Sequence, residues 1–421
     1  MDIRVIALLA LEGCFALALL YFFGAVQKPR ALGRCFLLIF LALAVRLCFF
    51  NDTNTDYTWF LKVWVDYYRE NGFAGLSRSY GNYNIPYLYF LALFARSELY
   101  DLYLIKLLSC FFDIVLAFAA MLLVQKCSQS PLRGIVCFFL VLFWPTVILN
   151  SAKWGQCDSI YVSFALLGLA AALPAPDGMP ARLSDRFRPL VSMICIAVSF
   201  GFKLQAVFLM PLWLVLWVWR KYHWGWFAAF PLTYLLLVLP AVLLGRPLWD
   251  AVTLYLDQAG TVGDALNYNS PSLTALLPSV SDPAAVSRAL IFFAFAAMLL
   301  LLLLGILSRR SLTPRRFLLL AVLMAIAIPF LLPHMHDRYF YAADVLTLCL
   351  AVCLPAAAAS AVLTEFGSLV CYIAYFPGRY YKLGSIYLTN GRGAVAMLCS
   401  LVLAGAAFAL ELRKDPGGRL T

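Results

Sequence analysis

Residues 189–219 read PLVSMICIAVSFGFKLQAVFLMPLWLVLWVW, an apolar run with a single charge at Lys203. As one helix the run is about 46 Å long at 1.5 Å per residue. It would then place the basic residues before it (Arg182, Arg186, Arg188) and after it (Arg220, Lys221) on opposite faces of a bilayer, whereas basic connections collect on the cytoplasmic side. Splitting the run at Lys203 and Gln205 keeps both groups on one side. Each half is then about 21 Å long, short of a hydrocarbon core of about 30 Å. The turn at Lys203 is therefore expected to lie recessed below the outer surface, where irregular backbone is tolerated only against protein or around a cavity.

The rest of the chain has the same character. Of its 421 residues 64% are hydrophobic and 13% charged, with a mean hydropathy of +0.87, while soluble domains are nearer half apolar and a quarter charged. That balance excludes a cytosolic enzyme, a secreted domain and a single-pass anchor. Apolar runs near 3–25, 35–50, 101–125, 134–149, 159–173, 189–202, 204–219, 226–245, 286–307, 317–332, 341–354, 356–376 and 394–411 predict an all-α polytopic transmembrane bundle of about 12–13 spans. It reads as one integral membrane domain over 1–421. Its first extracytoplasmic loop covers 51–100, a second polar stretch covers 246–285, and a C-terminal loop and last span cover 377–421. The count after residue 340 is open by one crossing, because the connection at Pro355 carries no charge. The run 3–25 exceeds the h-region of about 7–15 residues of a signal peptide and reads as a retained span.

The net charge of +11 reads as topogenic rather than as a nucleic-acid footprint, because alternate connections are basic: Lys28, Arg30 and Arg34; Lys126 and Arg133; the two groups already named; Arg309, Arg310, Arg315 and Arg316; and Arg413, Lys414 and Arg419. The N-terminus is then outside and the C-terminus inside. Most acidic residues fall on the outer side, with Asp177, Asp185 and Asp415 as exceptions. The twelve cysteines lie mostly in apolar runs and form no C-x-x-C pair, so neither a disulfide framework nor a zinc site is indicated.

Five polar clusters share the outer side at predicted span ends: Asn51 to Tyr57, Asn150 to Ser159, Lys203 to Gln205, Asn267 to Pro271, and Pro333 to Tyr339. Each has a plain structural use. Asp56 opens an amphipathic stretch (Tyr57, Phe60, Val63, Trp64, Tyr67) and could cap it. Lys153 and Asp158 could form a local ion pair around Trp154, and Lys203 could snorkel to the headgroups. His334 and His336 form an H-x-H that needs one further carboxylate to bind a metal; none is assigned, and a divalent ion stays open. Asp113 lies inside a span and is expected to face the bundle interior, hydrogen-bonded to a neighbouring helix. Taken together, the clusters fit transfer from a lipid phosphate. Asp56 would serve as general base, and Lys203, His336 and Arg338 would answer negative charge on the leaving group. The same parts could bind an ion or substrate in a transporter.

The order of motifs resembles the GT-C superfamily of polytopic glycosyltransferases, and within it the bacterial proteins similar to the second mannosyltransferase of GPI-anchor synthesis. The resembling residues are Asp56-Tyr57 with Phe60, Trp64 and Gly72; Tyr83 to Tyr89, with Ile85 where a second proline is common; Lys106 and Asp113; and Asn150-Ser151-Ala152, Trp154-Gly155-Gln156 and Asp158-Ser159. They continue with Lys203 and Gln205, Leu204 replacing a proline; Asn267 to Asn269; and Pro333 to Tyr339 with Ala343 to Leu346, Asp337 standing where Glu is usual. The likeness spans 51–350. It implies a first outer loop with short amphipathic helices and inverting transfer of a hexose, with mannose one candidate, from a polyprenyl-phosphate sugar to a glycan, lipid or protein acceptor. The site would be extracytoplasmic, in the plasma (inner) membrane. It implies Asp56 as base, Lys203, His336, Arg338 and His334 on phosphate, and Trp154, Gln156, Asp158, Gln205, Asn269 and Tyr57 around sugar or acceptor, with no cofactor assigned. A lipid-linked saccharide flippase and a polymer ligase are the alternatives.

Overall fold

Among the described residues, proline sits at the first or second position of eight α-helices, where its missing N–H costs nothing and its φ is already helical. The computed structural model describes residues 2–174, 186–220, 222–260, 263, 265–308, 312–376 and 389–413. Asp177, Arg182, Asp185, Lys221, Arg309, Arg310, Lys414, Asp415 and Arg419 of the charge pattern lie outside them. The chain runs through α1 (Ile3–Phe22), α2 (Pro29–Leu47), α3 (Lys62–Asn71), α4 (Ile85–Phe94), α5 (Asp101–Ser128), α6 (Pro131–Phe143), α7 (Pro145–Ile148), α8 (Asp158–Ala172) and α9 (Arg188–Phe202). It continues with α10 (Pro211–Arg220), α11 (Ala229–Leu243), α12 (Leu248–Gly260), α13 (Pro283–Leu307), α14 (Pro314–Leu331), α15 (Tyr341–Cys353), α16 (Ala358–Tyr375) and α17 (Asn390–Arg413). Two-residue strands β1 (Asn267–Tyr268) and β2 (Met335–His336) pair in parallel.

Every apolar run predicted as a span carries a helix, and the chain is a multi-pass, all-α membrane bundle. Among the described residues seven helices are long and apolar enough to cross a membrane, or eight if α6 and the helix after it count as one span bent by 49°. Several of the other predicted spans carry shorter helices. Pro145 breaks the run 134–149, holding Trp144 extended as a residue before proline must be. Helices α8, α9 and α15, of 15, 15 and 13 residues, are about 20–22 Å long. The segment 246–285, read as polar loop, contains α12.

The split at Lys203 is present: α9 ends at Phe202, Lys203 is extended, and a 3-10 turn covers Leu204–Phe208. The chain doubles back there, because the Trp213 indole donates to Ser192 Oγ at 3.0 Å across the two halves. At the other end of α8, Lys126 donates to the carbonyls of Ala170 and Leu173. Helices α5 and α14 are buried along most of their length, while α11 and α13 turn large apolar side chains such as Leu236, Leu243, Phe292 and Leu299 outward. Helices α16 and α17 approach at glycine: a Cβ on Gly367 would lie 3.0 Å from the Gly393 carbonyl, and Ser360, Thr364 and Ser400 hydrogen-bond across the same seam. Small residues with hydroxyl bridges are how helices associate where lipid gives no hydrophobic drive.

Asp113 faces inward as expected. Its fully buried carboxylate pairs with Arg46 of α2, Nη2 to Oδ2 2.8 Å, and accepts from Ser151 Oγ at 2.5 Å. Removing one partner of such a pair strands the other charge. Asp113→Ala is therefore expected to cost about 3–5 kcal/mol, against about 1 kcal/mol for Ser151→Ala. Denaturant melting in detergent compares the two; equal losses would show that the ion pair carries no special weight.

Candidate functional site

The five polar clusters converge at one end of the bundle, and the turn between α7 and α8 is their hub. Thr146 gives its N–H and hydroxyl to the Glu365 side chain, at 2.8 and 2.7 Å, which seats α7 against α16. The backbone then widens into a π turn over Leu149–Trp154, a rare geometry that favours functional positions. Gly155 ends the turn at φ +76°, left-handed backbone that suits glycine. From this turn Asn150 reaches Asp158 (3.0 Å), Ser151 reaches Asp113, Lys153 reaches Asp52 (2.5 Å) and the Trp154 indole reaches Asp56 (2.9 Å).

Asp56 precedes a second π turn, Tyr57–Leu61. It is not the helix cap. Asn54 takes that role, its Oδ1 accepting from the Tyr57 N–H at 3.0 Å while its Nδ2 donates to the Trp154 carbonyl at 2.8 Å. Asp56 is thus left free of local backbone. Its Oδ2 accepts from Trp154, from Gln156 Nε2 at 2.7 Å and from Arg338 Nη1 at 3.3 Å. None of these three bonds falls on Oδ1. Behind Gln156, the Tyr83 hydroxyl donates to Oε1 at 2.6 Å.

Charges alternate through the site. Lys203 pairs with Asp158 Oδ1, Asp158 Oδ2 lies 3.6 Å from Arg338 Nε, and Arg338 joins Asp56 and, at 3.8 Å, Asp337. Lys203 therefore does not snorkel, and Lys153 and Asp158 are not each other's partners. Arg338 Nε is buried without a hydrogen-bond partner and turns toward Asp158 rather than the cavity. The guanidinium carbon stands 5.4 Å over the Trp154 ring. A cavity of about 430 Å³ opens above this layer, lined by Asp56, Arg338 and His336 together with Phe60, Leu61, Trp64, Asn82, Tyr83, Gly263, Tyr268 and Tyr339. That is the size of a small-ligand pocket, of about 300–1,000 Å³.

No family model, curated protein or solved structure matches this chain. What the site does is therefore argued from its own residues.

Asp56, Arg338 and His336 face the cavity. Trp154, Gln156 and Asp158, at 0–1% exposed, do not line it: the first two hold Asp56, and the third binds Lys203 and Arg338. Lys203 lies in the same supporting layer, beneath the Tyr83 ring at 5.7 Å. Four residues turn elsewhere. The Tyr57 hydroxyl donates to Asp101 at 2.6 Å. Asn269 is spent on Cys371, Asn390 and Asp337. Gln205 lies behind the wall, its side chain hydrogen-bonded to Tyr339 and its Oε1 buried without a partner. His334 gives Nδ1–H to the Ala265 carbonyl, and its Nε2 meets Ser287 Oγ at 2.9 Å, so neither ring nitrogen is open to a phosphate. The aromatic wall of Phe60, Trp64, Tyr83, Tyr268 and Tyr339 is given no role from the sequence, although all five fall within the motifs quoted above. Among the described residues no group of three His, Cys, Asp or Glu could hold a metal.

His336 stacks on Tyr268 with centroids 4.8 Å apart. Burial, reinforced by the Arg338 charge, lowers its pKa to about 4. It is neutral at physiological pH, so it offers a hydrogen bond where the sequence reading counted a cation. Asp337 moves the other way: burial raises it to about 7, against the opposing pull of Arg338. It therefore takes up a proton as pH falls through about 7, which removes a negative neighbour from Arg338. Affinity of the cavity for a simple dialkyl phosphate probe, whose own charge is constant in this range, is expected to rise several-fold from pH 8 to pH 6. Asp337→Asn should flatten the profile and His336→Gln should keep it. A profile abolished by His336→Gln would assign the titration to the wrong group.

Proposed function

We propose that the chain is a GT-C type membrane glycosyltransferase. It moves a hexose, with mannose one candidate, from a polyprenyl-phosphate sugar to an acceptor on the extracytoplasmic side of the plasma membrane, with inversion. One observation carries the reading: a carboxylate with three donors on one oxygen shares an aromatic-walled cavity with a guanidinium, at one end of a membrane bundle.

The chemistry follows from those groups. The acceptor hydroxyl oxygen attacks the anomeric carbon, the bond from that carbon to the phosphate oxygen breaks with its electron pair going to phosphate, and Asp56 takes the hydroxyl proton. Trp154 and Gln156 hold Oδ2 and so turn Oδ1 toward the acceptor. Arg338 answers the charge that grows on the leaving phosphate, the task for which a planar fork of donors is suited. In an in-line displacement, base and leaving group stand on opposite faces of the sugar. Transfer therefore requires the 3.3 Å contact between Arg338 and Asp56 to open as the phosphate takes the guanidinium. Asp158 then remains beside Arg338 and keeps it from drifting.

The aromatic side chains suit the apolar face of a pyranose, and the ends of short α8, α9 and α15 at this site suit a headgroup that must enter from lipid. The order of motifs described above supports the same reading, and the positive-inside distribution supports the outer side.

The test is transfer from a panel of polyprenyl-phosphate hexoses by purified protein. Asp56→Asn is expected to lower kcat by about 10²–10⁴-fold, the usual contribution of a general base, with donor affinity nearly unchanged. Arg338→Lys keeps the charge but loses the fork, and should raise the donor KM as well as lower kcat. Full activity of Asp56→Asn would remove the base assignment; uptake of lipid-linked sugar into vesicles without transfer would favour the flippase.

A further inference from the structure

We propose that a second cavity, across a wall from Asp56, binds a hexose unit of the acceptor glycan. The assignment of acceptor rests on the transferase reading; the assignment of sugar does not. The cavity holds about 350 Å³ and is lined by Asn51, Asp52, Thr53, Asn54, Lys153 and Phe376. None of these residues takes part in the transfer chemistry.

Its position follows from the chain. The segment 51–56 contributes to both cavities, with Asp52 and Asn54 on this side and Asp56 on the other, and Lys153 joins this side. The wall between is held by the Asn54 to Trp154 hydrogen bond at 2.8 Å. It is also held by Tyr375, whose hydroxyl contacts Thr55 Oγ1 at 2.6 Å and accepts from the Asp56 N–H at 3.1 Å, while its ring stacks on Trp154 with centroids 4.0 Å apart.

The lining is preset from behind. Lys106 Nζ donates to the carbonyls of Phe49, Phe50 and Asp52 at 2.6, 3.2 and 2.6 Å, and so fixes the backbone beneath the cavity. The Tyr103 hydroxyl donates to Asn51 Oδ1 at 2.8 Å, which orients that amide with its NH₂ available. Lys153 Nζ pairs with Asp52 Oδ2 at 2.5 Å and stands 5.1 Å from the Phe376 ring centroid.

The ligand class follows from this set. Asp52 and Lys153 cancel, so the cavity does not select an ion. What remains is an array of donors and acceptors side by side, amide, hydroxyl, carboxylate and ammonium; the Phe376 ring, buried with Lys153 over it, closes one side of the cavity. Sugar hydroxyls both donate and accept, so a neutral hexose satisfies the set as neither a metal nor a phosphate does. For a glycan seated here to present a hydroxyl to Asp56, its next unit must pass over the rim of that wall.

Saturation-transfer NMR with mannobiose and cellobiose on the full chain in detergent tests the sugar assignment without any need for transfer. Wild type should show saturable binding. Asp52→Asn and Asn51→Ala should each weaken the signal at least fivefold, while Asp56→Asn keeps it; two variants are used so that one failing to fold does not decide the matter. No disaccharide signal from wild type, or a signal indifferent to both substitutions, overturns the proposal. In the transfer assay the same two variants should raise the acceptor KM and leave the donor KM within twofold, and a raised donor KM instead would also overturn it. Asp52-dependent binding in a protein that transfers no sugar would overturn the transferase reading and the word acceptor, and leave a sugar site.

Discussion

A carboxylate inside a membrane bundle is kept only where its charge is answered on the spot, because the alternative is an ion desolvated without compensation. Asp158 is 1% exposed and meets this requirement with Lys203, Arg338 and Asn150. Those four residues come from the start of α8, the break after α9, the connection between α14 and α15, and the turn after α7. The electrostatic requirement is therefore also a geometric one: these segments must meet, and where they meet the cavity has its floor. Asp113 imposes the same condition one layer deeper, on α2, α5 and Ser151.

This arrangement separates two kinds of polar residue. Asp56, Arg338 and His336 reach the cavity, while Trp154, Gln156, Asp158 and Lys203 spend their hydrogen bonds on those residues or on each other. A substitution in the second group acts through the first. It changes the orientation of a carboxylate or a guanidinium, whereas the aromatic wall from Phe60 to Tyr83 and from Tyr268 to Tyr339 contributes shape.

Much of this was legible in the sequence, for reasons that can be named. Helix positions follow from apolar runs, the turn at Lys203 follows from which side its basic flanks must occupy, and the convergence of the polar clusters follows from their common position at span ends. Other features were hidden. Arg46 looks like one more basic residue near a helix end, and nothing in the sequence marks it as the partner of Asp113, 67 residues away. Asn54 and Asp56 are both good caps two residues apart, and only the backbone path decides that Asn54 caps and Asp56 is spared. Residue type cannot say whether Trp154 faces a sugar or an aspartate. The charge state of His336 depends on burial, which no motif encodes. Helix length, too, is cut by Pro145 and by local turns that hydropathy does not register.

The π turn at Leu149–Trp154 has a further consequence. Each residue of an α-helix advances the chain by about 100° around its axis, so the one residue that a π turn adds sets the angular phase of everything on it. Asn150, Ser151, Lys153 and Trp154 point at four different aspartates only in that phase. Losing a single residue there would let the backbone relax to ordinary helix and turn these side chains by roughly a quarter of a revolution, so that all four contacts would be lost together. Point substitutions test these positions one at a time, but in length the turn behaves as a single indivisible unit.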